Sequence, residues 1–292
     1  MAIRNPRTLL VLAATCGLAF YALLVVAYAS SRARSLDASA LRGFIDLQGD
    51  RVGPLSQRLA NFGDPGPVIV FTAALAALAA ARGRLRQAAA IVFLVGATSV
   101  SSQVVKALLA YPRDAVRGAA HVNPAAFPSG HSTAAMALAA CAVLVAPRAV
   151  RPLAAGLGAL LALGVGYSVV TLGWHYPSDV IGGFLLATIW TLLVVAALQA
   201  AERRWPHRVG RTRVSAALTR AVDKLTEAGL AALALAVAAI GSAAALLVAV
   251  RRMDDVREFA SAHTAAVVVG LLVAGSAAIL LAGVTVALRR RE

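Results

Sequence analysis

Long uncharged apolar runs alternate with short charged stretches along the whole chain. Residues 9–29, 87–105, 153–174, 180–201, 228–250 and 262–288 are apolar over the length of about 20 residues that a membrane-spanning helix needs. Two further runs are shorter. Residues 68–81 gain length if Pro65-Gly66-Pro67 joins them, and residues 132–146 do so if their helix starts at the Pro128 turn. The pattern predicts eight helices in an all-α, polytopic membrane bundle, the last two forming a final pair.

The stretches between the runs add organisation. Residues 30–67 place Leu36, Leu41, Phe44, Ile45 and Leu47 among polar residues. They read either as one or two interfacial helices on the membrane or as an ordinary covered loop. Residues 202–227 read as a basic linker, whose arginines set topology and contact anionic lipid. The expected division is a core at 1–201, the linker at 202–227 and a helix pair at 228–292. With eight spans both termini share one side. The loops on that side hold 17 Lys and Arg against 10 on the other. Positive-inside then places both termini in the cytoplasm. Arg4 and Arg7 precede the first run, and Ala27-Tyr28-Ala29 resembles a signal-peptidase site. That run exceeds the 7–15 residues of a signal-peptide core, so a retained anchor is expected.

Composition agrees with the pattern. Of 292 residues, 60% are hydrophobic and 14% charged, against about a quarter charged in soluble domains. The net charge of +15 raises nucleic acid as a partner. Most of the arginines lie in short loops between apolar runs, however, where they orient a membrane protein, so no nucleic-acid partner is expected. Cys16 and Cys141 both lie inside apolar runs and lack metal-ligand spacing. Oligomeric state is not legible.

Three short stretches carry polar chemistry at the ends of apolar runs. Lys106 ends the third run and Arg113 follows in the next loop. A lysine there also suits simple snorkelling. Pro128-Ser129-Gly130-His131 opens the fourth run. Pro and Ser start helices, free N–H groups at a helix start attract anions, and glycine lets an anion approach. A plain cap beside a stray histidine is the bland alternative. His175 and Asp179 stand four apart where the sixth run begins. A carboxylate on one imidazole nitrogen leaves the other free to attack. A local helix cap, or a metal site of two histidines and one aspartate, fits the same residues, although the nearby cations oppose a metal. All three stretches are expected on the outer face.

Taken together, the three stretches resemble the motifs of the type 2 phosphatidic acid phosphatase family, which shares its core with acid phosphatases and vanadium haloperoxidases. The first motif is lysine, six residues, arginine and proline. Lys106 and Arg113 match, and Asp114 stands in place of the proline. The second, Pro-Ser-Gly-His, is matched by residues 128–131. The third is Ser-Arg, five residues, His, three residues, Asp. Ser168, His175 and Asp179 match it, and Val169 replaces the arginine.

The resemblance spans about residues 35–200 and implies a six-helix phosphatase core without metal or cofactor. It implies that His175 attacks phosphorus, Asp179 orients it and His131 protonates the leaving oxygen. Lys106, Arg113, Ser129 and Gly130 then bind the phosphoryl oxygens. The implied activity is hydrolysis of a lipid phosphate or pyrophosphate, with a membrane lipid as the partner. Transfer of the phosphoryl group to a second lipid, or lipid binding without turnover, are the alternatives. Valine has no forked donors, and losing one transition-state donor costs about 10²–10³ in rate. Arg117, in the same loop as Arg113, is the expected replacement.

Overall fold

The computed structural model describes residues 6–109, 126–205 and 253–288. These residues are helical, with no strand among them. The helices are α1 (Pro6–Ala29), α2 (Ser31–Ile45), α3 (Val52–Ala60), α4 (Pro65–Ala81) and α5 (Leu85–Leu108), then α6 (Gly130–Val145), α7 (Arg151–Thr171), α8 (Pro177–Arg204), α9 (Met253–Ala262) and α10 (Thr264–Ala287). Arg113, Arg117, most of the basic linker and the run at 228–250 lie outside the described residues.

Each apolar run within the described residues forms a helix, with its ends displaced by local chemistry. α4 begins at Pro65, since proline at the first helical position loses no hydrogen bond. α5 continues past Lys106 to Leu108, so the lysine lies inside its last turn. α7 stops at Thr171, before Trp174, because Gly173 turns left-handed at φ 72°. Among the described residues, α1, α5, α7, α8 and α10 are long and apolar enough to cross a membrane. α3 and α4 meet at a bend of 53°. The 16 residues of α6 span about 24 Å at 1.5 Å per residue, short of a hydrocarbon layer of about 30 Å.

α6 is nonetheless the axis of the bundle. It is buried along nearly its whole length, with α4, α5, α7 and α8 packed around it. An apolar helix that is buried all round needs its terminal carbonyls satisfied by neighbours. At the end of α6, Gln87 donates to the Leu144 carbonyl at 2.9 Å, Arg82 to Val145 at 3.1 Å and Arg151 to Ala146 at 3.2 Å. Within the bundle, Trp190 Nε1 donates to Ser101 Oγ at 2.9 Å, tying α8 to α5.

α2 shows what residues 30–67 do. Its Ala40, Leu41 and Phe44 are buried against α7, α8 and α10. The apolar stripe therefore covers the end of the bundle, while Leu36 and Leu47 remain exposed. Phe44 stacks on Tyr167 at 5.6 Å, and Tyr167 donates its hydroxyl to the Gly270 carbonyl of α10 at 2.6 Å. At the other end of α10, Arg151 reaches the Leu288 carbonyl at 2.7 Å. The C-terminal helix is thus fastened to the core at both ends.

Candidate active site at one end of the bundle

The starts of α4, α6 and α8 meet, with the end of α5 beside them and α2 against the α8 start. The α6 start is built by Ser129, whose Oγ accepts the Ser132 N–H at 3.3 Å. Its carbonyl accepts the Thr133 N–H and hydroxyl at 3.0 and 2.7 Å. The Ser129 N–H donates to the Asp179 carbonyl at 2.9 Å, which joins two stretches 50 residues apart. Ser129 therefore serves as a cap, its hydroxyl oxygen accepting while its O–H is still a donor. Among the described residues, the N–H groups of Gly130 and His131 have no acceptor. Lys106 stands over this turn: a Cβ built on Gly130 comes 3.4 Å from Lys106 Nζ. Lys106 Nζ and the two N–H groups thus lie at the same helix start, and donors of this kind suit a phosphoryl group.

The α8 start is built differently. Gly173 reverses the chain, and the Val169 carbonyl accepts from Trp174 at 3.0 Å and His175 at 3.3 Å. This holds His175 against the α8 start. Asp179 is fully buried and accepts the Tyr176 N–H at 2.9 Å, capping α8. The same oxygen lies 3.5 Å from His175 Nδ1. That nitrogen is buried and has no hydrogen-bond partner, so Asp179 is the acceptor placed to receive its proton. With Nδ1 facing Asp179, Nε2 is the ring nitrogen turned away from the carboxylate. The His131 and His175 rings lie 6.4 Å apart, and Trp174 flanks His131 at 5.6 Å.

Lys106, Ser129, Gly130, His131, His175 and Asp179 are therefore brought to one site. Val169 lies beside it, but its side chain is fully buried in the apolar core. That position lends the site a backbone carbonyl and no charge. Among the described residues, no group of three or more His, Cys, Asp or Glu forms a metal cluster.

Two aspartates escape the sequence reading. Asp64 Oδ1 lies 3.1 Å from His131 Nε2. Asp37 of α2 accepts the Ser178 N–H at 3.1 Å and its hydroxyl at 2.6 Å, so it holds the α8 start from across the bundle. Asp64-Pro65 carries a visible helix-start signal, but nothing local links it to a histidine 67 positions away. Asp37 carries no local signal at all.

An all-helical bundle of membrane-length apolar helices, with this constellation at one end, defines the fold as that of an integral membrane protein. Residues 87–203 match the PAP2 superfamily model. No curated protein matches the chain. Among solved structures it is similar to the first transmembrane PAP2 type phosphatidylglycerolphosphate phosphatase from Bacillus subtilis, at 21% identity and a TM-score of 0.53. That match covers 67% of this chain and 98% of the other. At this identity the likeness concerns the fold.

Proposed function

We propose that this protein is a lipid phosphatase of the bacterial inner membrane, with its site at the outer face, working through a phosphohistidine. One observation carries the reading: the reactive His175–Asp179 pair, His131, Lys106 and the open α6 start meet at one end of an apolar bundle. His175 Nε2 attacks phosphorus, and the P–O bond to the lipid breaks. His131 gives its proton to the leaving oxygen. Water then attacks phosphorus and passes a proton to His131, and the N–P electron pair returns to His175. Lys106, the Gly130 and His131 N–H groups and Arg113 stabilise the charge on the equatorial oxygens. Ser129 supports them as the cap that shapes the turn.

The apolar flanks keep the lipid tail in the membrane while its head group meets the site. Candidate substrates are a polyprenyl pyrophosphate, phosphatidic acid and phosphatidylglycerol phosphate. The last is the substrate that the name of the Bacillus subtilis neighbour carries. Arginines at the end of the bundle holding Arg82 and Arg151 support placing that end in the cytoplasm.

Phosphate release from these three lipids by the detergent-purified protein, with a chelator present, tests the proposal. Release that disappears in His175→Ala, with labelled phosphate on the wild-type protein after an acid-free quench, is the expected result. Phosphate appearing on a second lipid identifies a transferase instead. Tight lipid binding with no release from any lipid overturns the enzymatic reading and makes Val169 the decisive substitution.

A further inference from the structure

Resting on that reading, the structure assigns a further positioning residue: we propose that Asp64 holds His131 through its Nε2 and presents Nδ1 to the leaving oxygen. Asp64 is the N-cap residue of α4, and aspartate caps helices well. Its side chain nevertheless makes no capping hydrogen bond. The carboxylate is turned to His131 Nε2 at 3.1 Å instead. The approach of the two segments is close. A Cβ on Gly63 would stand 2.7 Å from the His131 Cβ and 2.9 Å from its Cα. The α3–α4 bend therefore seats directly on this histidine, and only glycine fits at the contact.

A carboxylate on one ring nitrogen sets the ring's orientation and decides which nitrogen faces the substrate. It also offsets the positive charge that the ring carries whenever it holds the transferable proton. Both effects matter for a group that gives a proton in the first step and takes one from water in the second. His131 and Asp64 are 25% and 47% exposed at the side chain, so the pair is open to the outside of the bundle. His175, at 10%, is shielded. The role differs from that of Asp179, which serves the attacking ring.

The test compares two substrates carrying the same tail, an alkyl phosphate and a nitrophenyl phosphate. An alkoxide needs a proton to leave, whereas a nitrophenolate does not. The ratio kcat/KM reports substrate binding and the first chemical step, without the later hydrolysis of the phosphohistidine. In Asp64→Asn it is expected to fall by about 10–10² on the alkyl phosphate, and by about threefold or less on the nitrophenyl phosphate. Asp64→Glu is expected to restore most of the loss. Equal losses on both substrates, or no loss on either, overturn the proposal.

A second measurement does not depend on turnover. Nitrogen NMR of labelled histidines, with His131 assigned through His131→Gln, is expected to show Nε2 protonated in the wild type and a changed ring in Asp64→Asn. An unchanged His131 signal overturns the pairing even in an active enzyme. A wild type that releases no phosphate while the His131 signal moves as expected defeats the catalytic reading and leaves the contact standing.

Discussion

Two helix starts face each other across this site, and they are finished in opposite ways. The α8 start is filled from within the protein: Asp179 caps it and Asp37 takes both donors of Ser178. The α6 start has no acidic residue in its first turn, its cap is a neutral serine, and an ammonium stands over it. Both starts carry the partial positive charge of a helix N-terminus. One has been neutralised by the protein's own carboxylates and presents an imidazole. The other has no acidic residue of its own, only Asp64 on the His131 ring, and it keeps Lys106 beside its first N–H groups. Under the proposed function the contrast divides the labour, with α8 supplying the nucleophile and α6 the seat for the phosphoryl group.

Removing the charge at α8 is expected to have the largest effect. Asp179→Asn keeps an oxygen for the Tyr176 N–H but loses the carboxylate that steadies His175. The expected cost is about 10³ in kcat, with little change in Tm, read by steady-state kinetics beside a thermal scan. A similar rate in the variant breaks the assignment of α8 as the nucleophile's helix. At the other start, Lys106→Gln removes the cation beside Gly130. A loss of about 10² in kcat/KM and weaker inhibition by inorganic vanadate are expected. If vanadate inhibits both proteins equally, the anion does not sit where the α6 start places it.

Two smaller effects concern stability. Asp37→Ala removes the carboxylate that accepts the Ser178 N–H and hydroxyl and is expected to cost about 1–3 kcal/mol, measured by denaturation in detergent. Ser129→Ala loses one cap bond and is expected to cost about 1 kcal/mol. If Ser129 acts only as this cap, activity measured well below Tm changes far less than in Lys106→Gln. A large kinetic loss in folded Ser129→Ala assigns that hydroxyl to the substrate instead.

The architecture was largely legible because membrane helices announce themselves: an apolar run has few other structures open to it in lipid. Runs 9–29, 180–201 and 262–288 became α1, α8 and α10 with small shifts at their ends. Residues 30–67 were only half legible. Their amphipathic pattern suits a membrane surface or a protein surface equally, and what α2 rests on is decided by where α7, α8 and α10 stand. The pair His175 and Asp179 was visible because four residues across a helix start keep two side chains together. The pair His131 and Asp64 was not, because its members come from different helices and meet only once the α3–α4 bend is seated.

The chain by itself determined the apolar spans, the polar residues that interrupt their ends, and the local turns at Ser129 and Gly173 that shape two of those ends. Each of these depends on neighbours within a few positions, where chain connectivity sets the distances. Tertiary structure alone decided that the Ser129 N–H meets the Asp179 carbonyl, that Lys106 stands over Gly130, and that Asp64 and Asp37 turn inward from their own helices. These contacts join segments tens of residues apart, and only the packing of whole helices around α6 brings them within hydrogen-bonding reach.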